Sequence, residues 1–322
     1  MKFNLTNPEL KATREGYGEG LLVAGLKNPQ VVALTADLTE STKTSAFKAK
    51  FPNRFFNLGV AEQNLIGVAA GMALSGKIPF ASSFAVFSPG RSWEQIRLSV
   101  CYQQANVKIV GTHAGVTTGP DGATHQALED IAITRCLPNL TVISPCDYHQ
   151  AIKATLAAAE HQGPVYLRLF RDKTPVMTAK STEFVIAKAQ IFQKGTDITL
   201  VSIGPLAFQA LLAAENLQKE RVSTEVINLH TIKPLDLAAV LKSVQKTNCL
   251  VTVEEHQVMG GMGSAVVEAL AQAYAVPVTE MIGIKDSFGE SGQAAELLQK
   301  FDLGASSIVQ AAKKALSRKR RL

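Results

Sequence analysis

The chain has 322 residues, 46% hydrophobic, 19% charged and 6% aromatic, the composition of a soluble globular protein large enough for two cores. It holds no run of 18 apolar residues and no apolar core near its N-terminus, so neither a membrane span nor a secretory signal is expected. The net charge of +6 is confined to residues 313–322 (KKALSRKRRL), which carry six cations and no acid, so the other residues balance to zero. Such a tail reads as a solvated helix end whose cations suit the C-terminal dipole, and no nucleic-acid partner is expected.

From the N-terminus, Asn7-Pro8 opens a helix running to about residue 26, followed by VVALT (31–35), a helix over 41–50 and FFNLG (55–59). An Ala/Gly-rich helix covers 61–75, then come IPFASS (78–83), a helix over 92–104 and VKIVGT (107–112). A helix beginning at about residue 125, LTVISP (140–145), a helix over 147–160 and PVYLRLF (164–170) complete the series. Strand and helix alternating at this rhythm imply parallel crossovers and an α/β, doubly wound parallel sheet. VKIVG and LTVIS have the continuous apolar character of strands buried on both faces.

The rhythm stops in RDKTPVMTAKSTEF, a polar stretch read as an inter-domain linker. A smaller α/β unit follows, with strands ITLVSIG (198–204), TEVINL (224–229), LVTVEEH (250–256) and VPVTEMIGI (276–284). Helices are expected near 205–219, 235–246 and 263–274. The division is residues 1–175, a linker over 176–190, and residues 191–322. The four cysteines, Cys101, Cys136, Cys146 and Cys249, have neither CxxC nor disulfide-scaffold spacing, which points to a reducing cytoplasm.

Ligands of open α/β sheets sit beyond the carboxyl ends of the strands, so the loops there are searched for chemistry. Glu62 opens an otherwise apolar helix. It either meets the helix dipole or serves as a desolvated carboxylate and proton partner of a ligand nitrogen. Phe84 and Phe87 precede a Pro-Gly turn and either pack the core or stack on a planar heterocycle. The segment 113–126 is long and glycine-rich, and holds His113, Asp121 and His125, a pattern that favours function over structure. Arg14 and Arg171 are either surface cations or guanidinium clamps for phosphate oxygens. MGGMGS (259–264) lacks the lysine of a P-loop and reads as a turn permitting close backbone approach.

ATREGYGEGL, ALTADLTEST, NLGVAEQN, FASSFAVF, GPDGATHQALED and PVYLRLFR, in this order, resemble the pyrimidine-binding domain of transketolases, and the region from 190 onward resembles that family's C-terminal domain. The resemblance spans the chain and is closest to the C-terminal subunit of a split transketolase. It implies thiamine diphosphate as cofactor and transfer of a two-carbon ketol unit between phosphosugars, in the manner of the pentose phosphate pathway. By resemblance, Glu62 hydrogen-bonds the aminopyrimidine and promotes its imino tautomer, Phe84 and Phe87 surround that ring, and Asp37 lies near the cofactor. His125 contacts the donor's reacting oxygens and Asp121 reads a substrate hydroxyl. Arg14, Ser41, His113 and Arg171 grip the sugar phosphate.

Two departures stand out. Gly90 replaces a common third aromatic, and no Gly-Asp-Gly metal-diphosphate motif occurs. The resemblance therefore implies a separate N-terminal subunit holding Mg²⁺ (or Ca²⁺ or Mn²⁺), in an α2β2 assembly, with no metal ligand on this chain. Three alternatives remain: a deoxyxylulose-phosphate-synthase-like subunit, an oxoacid-dehydrogenase β-like subunit, and a non-catalytic half.

Overall fold

The computed structural model describes residues 3–321. A short strand β1 (Leu10–Ala12) leads into α1 (Thr13–Lys27), β2 (Val31–Thr35), α2 (Ser45–Lys50), β3 (Phe55–Asn57), α3 (Glu62–Leu74) and β4 (Ile78–Phe84). Then α4 (Trp93–Gln95) runs into a π-helical stretch, Ile96–Tyr102, followed by β5 (Lys108–Thr112), α5 (Asp130–Arg135), β6 (Thr141–Ile143), α6 (Tyr148–Glu160) and β7 (Val165–Arg168). The second half holds β8 (Lys173–Pro175), β9 (Gln190–Gln193), β10 (Ile198–Ser202), α7 (Leu206–Lys219), β11 (Thr224–Asn228), β12 (Thr231–Lys233) and α8 (Leu237–Thr247). It closes with β13 (Cys249–Gln257), α9 (Met262–Gln272), β14 (Val278–Ile284), α10 (Ala294–Lys300) and α11 (Ala305–Lys319).

The first sheet has the order β12-β6-β7-β5-β4-β2-β3, and six of its seven strands run parallel. All five residues of both β2 and β5 are buried, because helices cover both faces of a parallel sheet. Lys108 in β5 is buried with its ammonium donating to Asn106 Oδ1 (2.6 Å) and the carbonyls of His161 (2.8 Å) and Gly163 (2.7 Å), which satisfies its three donors. The second sheet, β14-β13-β10-β11-β9, is parallel except for β9. The doubly wound α/β expectation is met in the first sheet, and the smaller α/β unit expected after it is met in the second.

Several sequence expectations are corrected. The first helix begins at Thr13, because residues 10–12 pair as an antiparallel strand with residues 173–175. The helix expected from about residue 125 begins at Asp130, leaving His125 in the loop, where Gly115 donates to the carbonyl of Ala127 (2.9 Å) and closes it on itself. Residues 231–233 form an antiparallel edge strand of the first sheet, although the chain around them builds the second.

The 176–190 segment is irregular up to Gln190 and is pinned to the first sheet's helices. Asp147, the N-cap of α6, accepts from the backbone amides of Met177 (2.7 Å) and Thr178, and Lys153 donates to the carbonyl of Ala179 (2.7 Å). Residues 313–319 of the basic tail are helical, and three of its exposed cations form ion pairs. Lys313 meets Glu220 (2.7 Å), and Lys314 (2.9 Å) and Arg318 (2.6 Å) both meet Glu280. Among the described residues no helix is long and apolar enough to cross a membrane.

Helices α1 and α6 approach closely at Gly16 and Gly20. A Cβ on Gly16 would stand 2.3 Å from the Tyr148 carbonyl oxygen, and one on Gly20 would stand 2.8 Å from Thr155 Cβ. On α3, Gly67 has nothing within 4 Å of the same position. Gly16→Ala is therefore expected to destabilise the chain by about 1–3 kcal/mol through forced separation of the helices. Gly67→Ala should stabilise it by about 0.4–1 kcal/mol through reduced unfolded-state entropy. Urea denaturation of the two variants checks this, and equal effects would contradict the packing.

Candidate active site

The carboxyl ends of the parallel strands bring most of the sequence-selected residues to one edge of the first sheet. Asp37 and Ser41 follow β2, Glu62 follows β3, and Phe84 ends β4 with Phe87 just beyond. His113, Asp121 and His125 follow β5, Arg171 follows β7, and Arg14 lies in the first turn of α1.

The centre of the group is aromatic. His113 stacks on Phe84 with centroids 3.7 Å apart, Phe87 stacks on Phe84 at 5.8 Å, and His125 meets Phe87 edge-on at 5.4 Å. Thr124 Oγ1 holds His125 Nδ1 at 2.9 Å. Burial, with Arg14 and Arg171 nearby, pushes the His113 imidazole down to about 3, so the ring is neutral at physiological pH. Neutrality fixes the hydrogen-bond directions. Nδ1–H donates to Thr112 Oγ1 (2.8 Å), whose hydroxyl donates to the Ser83 carbonyl (3.4 Å), and Nε2 accepts from Arg14 Nη1 (3.3 Å). Both ring nitrogens are thus engaged. The side chain aligns Arg14 rather than presenting a free donor.

Arg14 Nη1 also donates to the Ser41 carbonyl (3.0 Å), so it is the Ser41 backbone that meets this group. Arg14 Nε is buried without a protein partner. Arg171 Nη1 donates to the Thr118 carbonyl (2.6 Å) and to Asp121 Oδ1 (3.2 Å). Burial, followed by repulsion from Arg171, lowers the affinity of Arg14 for its proton, the signature of two guanidinium groups facing one space. That space is a cleft of about 540 Å³ whose lining includes three cations, Arg14, Arg171 and Lys173, and two acids, Glu15 and Asp172, with residues 117–120 and residues 293–295 of the second half. The arrangement suits a bound anion, since two guanidinium groups with unused N–H donors converge where water is partly excluded.

Glu62 is the first residue of α3 and its side chain is only 1% exposed. Arg91, a residue not singled out from the sequence, donates from Nη1 to Glu62 Oε2 (2.8 Å) and lays its guanidinium over the Phe87 ring at 4.9 Å. Gly90, where an aromatic was expected, is exposed, and the neighbouring guanidinium covers Phe87 instead. Glu62 Oε1 accepts no hydrogen bond from the described residues. Asp37 stands apart from this group. It is exposed, and its carboxylate accepts from Asn57 Nδ2 (2.8 Å). Among the described residues no three His, Cys, Asp or Glu side chains gather as a metal-holding group.

Removing Arg91 leaves a buried carboxylate without its counter-charge. Arg91 is 52% exposed, and that exposure discounts the loss to about 1–2 kcal/mol for Arg91→Ala. Glu62→Gln removes the charge itself, so the double variant should lose less than the sum of the single losses. Denaturant unfolding of all four proteins tests this, and strict additivity would remove the pair.

Comparison with known proteins places these residues in a family context. Residues 10–177 match the family described as transketolase, pyrimidine binding domain, and residues 187–308 match transketolase, C-terminal domain. A protein of Methanocaldococcus jannaschii named as a transketolase C-terminal section is 47% identical over 300 residues, spanning 92% of this chain and 94% of its own. A 6-deoxy-6-sulfo-D-fructose transketolase subunit of Clostridium sp. (strain MSTE9) is 42% identical over 306 residues, spanning 95% of each chain. A solved structure described as a split gene transketolase, inactive beta4 tetramer, superposes with a TM-score of 0.90 at 47% identity, covering 96% of this chain and 99% of that one.

Proposed function

The chain belongs to the transketolase family, carrying its pyrimidine-binding and C-terminal domains, and from that premise we propose that it is the C-terminal subunit of a two-polypeptide transketolase. The proposed reaction moves a two-carbon ketol unit between phosphosugars. The observation that carries this reading is the convergence of Arg14 and Arg171 on one cleft, beside the loop that holds His125. The sulfosugar in the name of the Clostridium relative, a sugar bearing an anion, supports the same class of substrate.

The family works with thiamine diphosphate, and the residues present suit the pyrimidine half of that cofactor. Glu62 keeps Oε1 free of protein partners within an otherwise buried side chain, and Arg91 links it to the Phe87 ring. Glu62, Phe84 and Phe87 would hold the aminopyrimidine. When bound, the cofactor supplies a nucleophilic carbon and an electron sink for carbon–carbon bond cleavage. The Glu62 carboxyl holds a proton at a ring nitrogen, His125 hydrogen-bonds the donor's reacting oxygens, and Asp121 orients a substrate hydroxyl. Arg14, kept in line by His113 and the Ser41 carbonyl, binds the distal anion together with Arg171.

The diphosphate and its metal are assigned to an N-terminal partner subunit, because no Gly-Asp-Gly motif occurs in this sequence. We place two copies of each subunit in the assembly, in the cytoplasm. The four free thiols support that compartment, and the inactive beta4 tetramer of the split-gene relative supports the need for a partner.

The test is reconstitution with a partner chain bearing that motif, followed by an assay of ketol transfer. The chain alone should bind thiamine diphosphate weakly and show no turnover, whereas tight binding or turnover without a partner would refute the split reading. Charge-assisted bonds to a phosphate are worth about 1.5–3 kcal/mol each. In the complex, Arg171→Ala should therefore raise KM for a phosphosugar donor by about 10–100-fold. The rate with the unphosphorylated donor hydroxypyruvate should barely change. Parallel losses on both donors would mean that Arg171 serves only to hold Thr118 and Asp121.

A further inference from the structure

Strand β13 lies inside the second sheet, and its last residues, Glu255, His256 and Gln257, follow a register shift against β14 and reach the segment that follows β5. Each of the three bonds to that region. Glu255 Oε1 accepts the backbone N–H of Thr117 at 2.6 Å. His256 Nδ1–H donates to the Gln257 carbonyl (2.7 Å), which leaves Nε2 to accept the amides of Ile131 (3.2 Å) and Ala132 (3.4 Å). Gln257 N donates to the Leu128 carbonyl (2.8 Å).

The approach at Glu255 is so close that a Cβ on Gly115 would stand 2.1 Å from its Oε1, and Gly115 has φ +80°, a conformation side chains resist. Both facts bind the loop's course to this one carboxyl group. On the loop's far side, Gln126 Nε2 donates to the Val116 carbonyl (3.0 Å) and to the Glu290 carbonyl (2.9 Å). A Cβ on Gly289 would stand 1.8 Å from Gln126 Oε1, and one on Gly122 would stand 2.5 Å from Ser291 Oγ. The loop bearing His113, Asp121 and His125 is therefore held between two segments of the C-terminal domain.

We propose that the C-terminal domain is a working part of the active site, with Glu255 as a positioning residue that sets the course of the 113–126 loop and hence the placement of Asp121 and His125. The catalytic part of this proposal rests on the transketolase reading, while the structural part stands without it. Burial pushes the Glu255 carboxyl up to about 7, even though the Thr117 N–H draws it the other way. A purely packing role would be served better by an apolar side chain, which has no such desolvation cost.

Hydrogen exchange on the full chain tests the structural part without a partner or a cofactor. Glu255→Leu keeps the volume and removes the acceptor, whereas Glu255→Gln keeps an acceptor oxygen. In the leucine variant, exchange within 113–126 should rise by about 10–100-fold, the range set by leaving a buried N–H without its acceptor, while β10 and β11 keep their protection. The glutamine variant should stay within about 3-fold of the parent. If the leucine variant does not fold, Gln126→Leu, which releases Val116 and Glu290, is read the same way.

Unchanged exchange in the loop, or acceleration spread evenly over both sheets, would overturn the proposal. In the reconstituted enzyme the leucine variant should lose at least about 10-fold in kcat and keep its cofactor affinity, with glutamine restoring kcat. Equal losses in kcat and cofactor affinity would also overturn it. A parent complex without ketol transfer would instead remove the transketolase reading and leave the exchange result standing.

Discussion

The Arg168 guanidinium is wholly buried where the two sheets and the 113–129 loop meet, held there through Nε and Nη2 while its Nη1 has no protein partner. Its Nε donates to Asp130 Oδ2 (2.8 Å), and its Nη2 donates to the carbonyls of Glu255 (2.8 Å) and Ala127 (3.3 Å). Asp130 Oδ2 also accepts from the Tyr166 hydroxyl (2.7 Å). A buried charge tolerates little displacement, because each hydrogen bond it loses leaves an ion without water. One side chain on β7 thus ties together α5, the end of the 113–129 loop and β13 of the other sheet. This polar tie sits within an interface that is otherwise apolar, where one buried cluster runs from Val142 and Tyr166 of the first sheet to Val201 and Ile227 of the second, and it adds a specificity of register that apolar contacts need not have.

A related economy operates at MGGMGS, the turn that superficially resembles a phosphate loop. The backbone amides of Met262 and Gly263, at the start of α9, donate to the two oxygens of Glu254 at 2.6 and 2.8 Å. A helix N-terminus attracts an anion, and here the anion is a carboxylate from the neighbouring strand. A Cβ on Gly261 would stand 2.2 Å from Glu254 Oε2, so the glycine serves the approach of this carboxylate. The missing P-loop lysine had pointed the same way.

The legible parts of the sequence were those governed by local pattern. Continuous β-branched runs marked β2, β5 and β10, because strands buried on both faces need no polar alternation. The rule that ligands gather at carboxyl strand ends points to Glu62, His113, His125 and Arg171 from the sequence alone. Asp37 was legible only through resemblance, and in the structure its partner is Asn57. What escaped depends on distant partners. Arg91 matters through Glu62, 29 positions away, and Glu255 through Thr117, 138 positions away. Nothing local distinguishes Arg91 from a solvated cation, and LVTVEEH reads as a strand whose end is merely polar. The three residues of β12 are too few for any periodicity to reveal.

That short strand changes what counts as a separable piece of this molecule. Residues 231–233 cover the outer edge of β6, so the first sheet is finished by chain that lies well inside the second half of the sequence. A cut within 176–190 would look natural from composition, yet it would strip β6 of its neighbour and leave an open row of backbone donors and acceptors, the kind of edge that recruits other strands. Genetic fusion, shuffling or transplantation of the pyrimidine-binding half would therefore have to carry the following domain along. The unit that can be exchanged between proteins is the whole chain, although its sequence reads as two.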